Sequence, residues 1–299
     1  MRAVIALPYA WLAVFFLLPF ALVLGIALGT NAPDSVPPVE LGFSLDNFRL
    51  LLSDKLYLAA WLSSLRIAAV STLVALLLGY PMAYAVARAA PRLRPTLLML
   101  IVLPFWTSFL IRVYAWMGLL AENGTLNQFL RWSGIADDPG TILGTEWAVH
   151  LGIVYAYLPF MVLPIYASLE KLDTGLLEAA ADLGATPFTA FLTVTLPLIA
   201  PAVAAGWLLA FTLSLDDLIM TQFVAGGQSQ TLPMLVYSSV RLGVDPQINV
   251  LATVIVAIAA TAVPAGIAQV PSCQGLRSRR MLSTVTGRKR SVSSTTAPR

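Results

Sequence analysis
The sequence is poor in the residues that build most catalytic and metal sites. It has one cysteine, Cys273, and one histidine, His150. A single thiol excludes a disulfide scaffold. A structural zinc site takes about four ligands, so a His/Cys metal centre is excluded as well. No GxxxxGK[ST] occurs, so the chain has no P-loop to cradle nucleotide phosphates. His150 stands alone in an apolar run, which leaves no nucleophile–base pair. Charge is scarce too: 11% of residues are Asp, Glu, Lys or Arg, against about a quarter in a soluble domain.

Apolar residues fill the space. They make up 58% of the chain, and the mean hydropathy is +0.81. Such a chain has lipid as its main solvent, and disorder is excluded over most of its length. Nothing in it points to nucleic acid. Six stretches reach the roughly 20 apolar residues that a spanning helix needs: Ala3–Gly29, Leu62–Ala87, Thr96–Leu119, Trp147–Leu169, Leu196–Val224 and Ile248–Val270. They are continuous runs without period-2 alternation, which disfavours a barrel. The first exceeds the apolar core of a signal peptide and reads as a span. Pro8, Pro19, Pro81, Pro104 and Pro159 lie inside spans, where neighbouring helices must re-satisfy the freed carbonyls. This predicts bent helices in a packed bundle.

Basic residues predict orientation. Arg2, the loop with Arg88, Arg92 and Arg94, Lys171 and the seven Lys/Arg after residue 270 share one side, while Arg49, Lys55, Arg131 and Arg241 fall on the other. Both termini are expected in the cytoplasm. The outer loops are acidic, either because translocated loops avoid Lys and Arg or because they attract a cationic solute or partner. Ser44–Ser53 reads as an amphipathic interfacial helix with Leu45, Phe48, Leu51 and Leu52 on one face.

The loop Glu170–Leu196 is too long for a tight turn. Asp173 can cap a helix start. Leu176, Leu177, Ala180, Ala181 and Leu183 follow at helical spacing, and Glu178 and Asp182 share a face. Gly184 suits the left-handed position past a helix end, and Pro187 prevents continuation. A second amphipathic stretch carries Phe188, Phe191, Leu192 and Val194. On the residues alone this is either an interfacial helix pair or a docking surface.

The run Glu178-Ala179-Ala180, then Gly184, then Leu196-Pro197 and Pro201 resembles the EAA loop of ABC importer permeases. The resemblance implies an all-α membrane protein with six transmembrane helices in the type I permease architecture, residues 1–270. It implies that Glu178, Ala179, Ala180, Asp182 and Gly184 couple to an ATP-binding subunit dimer, which would bind the ATP; the chain itself would need no cofactor and would not be an enzyme. A second permease subunit and an extracytoplasmic solute-binding protein would complete the complex in the bacterial inner membrane. LPFWTSFLIRVYAWMGL (103–119), YAYLPFMVLPIY (155–166) and the stretch 214–246 resemble permeases of spermidine/putrescine importers. The first two resemble one of the paired permeases and the stretch after about Gly206 the other, so the chain reads as a splice of the two.

A path for polyamines wants carboxylates and aromatic faces. Asp216 and Asp217 fall inside the fifth predicted span, where a charge is costly. They face the path, reach the outer interface or pair with Arg112. Being adjacent, they point about 100° apart on a helix, so one is expected to face the path and the other to cap or pair. Trp106, Tyr114, Trp116, Tyr155 and Tyr157 line the path or belong to core and aromatic belt. The tail 271–299 is basic, rich in Ser and Thr and without acidic residues. It reads as disordered and able to bind anionic membrane lipid, or as a reading frame foreign to the fold. Other solutes remain open: another small organic cation or an amino-acid-like molecule. So do a secondary transporter, though no inverted repeat is evident, and a membrane scaffold.

Overall fold
A computed structural model describes residues 2–31, 39–40, 42–134, 142–226, 230–242 and 248–257. The tail and the end of the sixth predicted span lie outside them. The chain divides into two compact units, Met1–Leu51 with Asp245–Arg299, and Leu52–Val244.

In the first unit, α1 (Arg2–Ala27) keeps Pro8 and Pro19 within a continuous helix. Its large side chains are exposed, Trp11 and Phe16 each by 64%, as suits a helix whose solvent is hydrocarbon. Its last carbonyls have no partner within the helix. Asn47 supplies one: its buried amide donates to the carbonyls of Ala27 (3.1 Å) and Gly29 (2.7 Å). β1 (Thr30–Asn31) and β2 (Val39–Glu40) form a two-residue antiparallel pair. The amphipathic helix is present as α2 (Asp46–Ser53), opened by Ser44, whose Oγ accepts the Asp46 N–H. Leu51 is buried and Leu45 exposed. The described part of the sixth span is a helix over Ile248–Ala257.

The second unit is built on three long helices, α3 (Lys55–Arg88), α7 (Glu146–Leu169) and α10 (Leu196–Leu215). Asp54 caps α3 by accepting the Leu56 N–H, and Thr145 caps α7 by accepting that of Ala148. Lipid gives little drive for helices to associate, so they need close contact at small residues. Met161 of α7 provides the centre of that contact. A Cβ on Gly79 of α3 would come 3.0 Å from its Cγ, and one on Gly206 of α10 would come 3.3 Å from its Sδ. Ala83, Val162, Ile165, Ile199 and Ala210 pack around it.

Two predicted spans differ from expectation. The third is not one helix. α4 (Arg94–Val102) runs into a 3-10 turn (Leu103–Trp106), and α5 (Phe109–Leu120) with α6 (Thr125–Trp132) leaves at 90°. Pro104 removes a donor, Thr107 is extended and Ser108 is non-helical (φ −56°, ψ 138°), so the ladder cannot resume in line. The fifth span also stops early. α10 ends at Leu215, and α11 (Ile219–Val224) is a separate short helix. Before α10, α8 (Gly175–Asp182) and α9 (Pro187–Ala190) form the loop helices. The expected second amphipathic helix is only one turn of α9, which passes through a π turn (Phe191–Thr195) directly into α10. α12 (Leu232–Leu242) is tied to α3 by the Leu232 N–H, which donates to Ser64 Oγ at 2.7 Å. Four described helices are long and apolar enough to cross a bilayer, or five if the bent pair counts as one.

Candidate functional site
At the end of the bundle where α7 finishes, α8 stands clear of the core. None of its residues is buried. Its start is shaped by Asp173, whose carboxylate accepts the Gly175 N–H at 2.9 Å. Its end is a Schellman closure: the Gly184 N–H donates to Ala181 and the Ala185 N–H to Ala180, with Gly184 at φ +82°. Thr186 then opens α9 by accepting the Thr189 N–H. Glu178, Ala179, Asp182 and Gly184 are exposed and Ala180 half-exposed. Leu183 is 89% and Phe188 70% exposed. The appendage therefore presents carboxylates, small residues and bare apolar side chains together, which is what a docking surface needs.

The acidic pair sits in the break between α10 and α11, not within a helix. Asp216 is the exposed C-cap of α10. Asp217 is buried and fully engaged. One oxygen accepts the Tyr157 hydroxyl at 2.7 Å, the other accepts the Met220 N–H at 2.7 Å, and its backbone carbonyl accepts the Thr221 hydroxyl. It caps α11 and ties it to α7. Met220 in turn seats α11 on Gly152, where a Cβ would come 2.7 Å from its Sδ.

Arg112 does not pair with either aspartate. Its guanidinium lies over the rings of Phe105 (4.9 Å) and Phe109 (5.2 Å), and its buried Nε has no partner. With Trp116 and Tyr155, whose rings meet edge-on at 5.3 Å, it lines a cavity of about 230 Å³. The aromatic candidates therefore separate. Trp116 and Tyr155 share this cavity and Tyr157 turns to Asp217. Tyr114 rests against Phe223 at 5.7 Å and Trp106 is 72% exposed.

His150, solitary in sequence, gains Ser71: Nδ1 and Oγ lie 2.8 Å apart. One turn earlier on α7, Glu146 pairs with Arg66 of α3. At the opposite end Arg94 pairs with Glu170. The pairs are 80, 79 and 76 residues apart in sequence, so no local pattern announces them.

An apolar bundle with a broken helix at a buried carboxylate and an exposed helix–glycine–helix appendage has the build of a transport permease. Residues 75–270 match the family described as binding-protein-dependent transport system inner membrane component. The chain belongs to this family and is a multi-pass inner-membrane transport component. It is 42% identical over 219 residues to the spermidine/putrescine transport system permease protein PotB of Escherichia coli (strain K12), covering 73% of this chain and 78% of that one. Over 111 residues it is 54% identical to the putrescine transport system permease protein PotI of the same organism, covering 37% and 38%. The fold is that of a chain of a bacterial ABC transporter involved in the import of the acidic polysaccharide alginate, with a TM-score of 0.67 at 18% identity over 87% of this chain and 91% of that one.

Proposed function
We propose that the chain is a permease subunit that moves putrescine or spermidine inward on ATP hydrolysed by a separate subunit dimer. The observation that carries this reading is the 42% identity to PotB over 78% of that protein's length. In this reading α8 is the seat of the ATPase, with Glu178 as polar anchor and Ala179, Ala180 and Gly184 admitting close approach. Both termini and α8 lie in the cytoplasm. A second permease shares the path, and a solute-binding protein delivers from outside. Asp216 is the carboxylate that meets the passing amine, and Asp217 positions the break that presents it.

The test is uptake of radiolabelled putrescine into proteoliposomes that hold the complete complex, with the binding protein outside and ATP inside. ATP-dependent uptake, competed by spermidine and not by neutral amino acids, is expected. A second reading has one observation in its favour: Arg112, cationic beside the Trp116–Tyr155 cavity, suits a carboxylate-bearing, amino-acid-like solute. Competition by amino acids instead of spermidine would select it.

A further inference from the structure
Glu170 occupies an unfavourable place. It is the C-cap of α7, where the helix dipole presents negative charge, and the last turn of α7 contains no basic residue. Arg94, the first residue of α4, compensates from another element. Its Nη1 lies 3.6 Å from Glu170 Oε1, and its Nε donates at 3.0 Å to the carbonyl of Ala89, the C-cap of α3. One guanidinium thus ties together the C-terminal ends of α3 and α7 and the start of α4. Arg94 is 27% and Glu170 45% exposed, so solvent reaches the carboxylate side of the pair and salt weakens it.

Glu170 is also where the chain leaves the bundle for α8, which begins five residues later at Gly175. No residue of α8 is fully buried; Leu177 and Ala180 are half-buried, and Leu177 and Ala181 face Tyr80 and Tyr84 of α3 across an open groove. Through the chain itself, a load on α8 enters the long helices at two places: its exit through α9 and the π turn into α10, and its entry at Glu170. We propose that Arg94 and Glu170 form a strut that transmits movement of α8 to α3, α4 and α7 together, making both of them positioning residues for transport. This rests on the reading that an ATPase docks on α8. Without the strut, α8 still receives its partner, but the entry point yields and only α10 is moved.

The test uses the complete complex in proteoliposomes, with ATP hydrolysis and radiolabelled putrescine uptake measured on the same preparation. Arg94→Ala and Glu170→Ala should keep basal hydrolysis and assembly while uptake per ATP falls about tenfold, within the usual range of coupling between sites. The reversed pair, Arg94→Glu with Glu170→Arg, should recover the part carried by the α4–α7 link, since each charge then suits its own helix end, but not the part carried by the Ala89 carbonyl, to which a carboxylate cannot donate. A merely structural role would lower hydrolysis and uptake in proportion and leave their ratio unchanged. An unchanged ratio in both single variants would overturn the strut, as would a reversed pair worse than either single. A parent complex that hydrolyses ATP without moving putrescine would overturn the transport reading, and the strut with it.

Discussion

The Tyr157 hydroxyl donates to the Asp217 carboxylate at 2.7 Å and so joins the middle of α7 to the break before α11. A buried carboxylate must be satisfied on both oxygens, and here the second oxygen takes the Met220 N–H. Asp217 is thereby committed to the scaffold, whereas its neighbour Asp216 is exposed.

The two aspartates should consequently fail in different ways. Asp217→Ala removes a helix cap, about 1 kcal/mol, and strands the half-buried Tyr157 hydroxyl, at most about 1–3 kcal/mol. It should lower the melting temperature in detergent and the yield of folded protein. Asp217→Asn keeps an acceptor for Met220 and a donor toward the tyrosine oxygen, so its melting temperature should fall less. Asp216→Asn should melt like the parent but take up less putrescine. Equal melting temperatures for Asp217→Ala and Asp216→Asn would contradict this division.

Glu178 and Gly184 should separate docking from folding. Glu178 is exposed, so Glu178→Ala should leave thermal stability unchanged while solute-stimulated ATP hydrolysis is lost. At Gly184 a Cβ would meet no atom within 4 Å. The only intrinsic cost of a side chain there is the left-handed backbone, about 1–2 kcal/mol, which Asn tolerates better than most residues. Gly184→Asn should therefore retain more stimulation than Gly184→Val. A measurement of ATP turnover with and without putrescine-loaded binding protein decides it.

Much of this architecture was legible in the residues. Asp173, Gly184 and Pro187 mark the bounds of α8 through local rules that hold at any depth in the fold. Apolar runs found the spans because hydropathy averages over many residues. That same averaging hid the break at 216–218, since two aspartates among leucines barely alter the mean of a long window. Pro104 read like Pro81 and Pro159, yet those two lie within unbroken helices. The difference lies in the non-helical Thr107 and Ser108 behind it, a cooperative choice that proline alone does not dictate. In the sequence Tyr157 reads as an aromatic face because its partner is 60 residues away, and Arg94 and Glu170, 76 residues apart, show no sign of pairing for the same reason.

Gly152 should be intolerant of a side chain, and the cause is testable. A Cβ there would come 2.7 Å from Met220 Sδ and 2.9 Å from its Cγ. Gly152→Ala must push Met220 aside, and overpacking of a core contact costs about 1–3 kcal/mol. Met220→Ala opens the same space at the cost of a cavity. Joined, the two changes fill each other, so the melting temperature of the double variant should lie above the sum of the two losses. Strict additivity would mean that α11 does not rest on Gly152.

Orientation can be read from two loops at opposite ends of one helix. The Leu143 N–H donates to the Leu120 carbonyl, so the α5–α6 turn lies beside the start of α7, whereas Lys171 follows its end. α7 has 24 residues, about 36 Å at 1.5 Å per residue, enough to cross the hydrocarbon core. The two points must therefore lie on opposite faces of the membrane. Arg88, Arg92, Arg94 and Lys171 are the ground for expecting the α8 end in the cytoplasm. With Cys273 replaced by Ala, Asn123→Cys should react with an impermeant maleimide in intact cells, and Lys171→Cys should react only after the membrane is opened. The reverse pattern would put α8 outside, where no ATP is hydrolysed, and would remove the coupling role of Glu178 and the Arg94–Glu170 strut together.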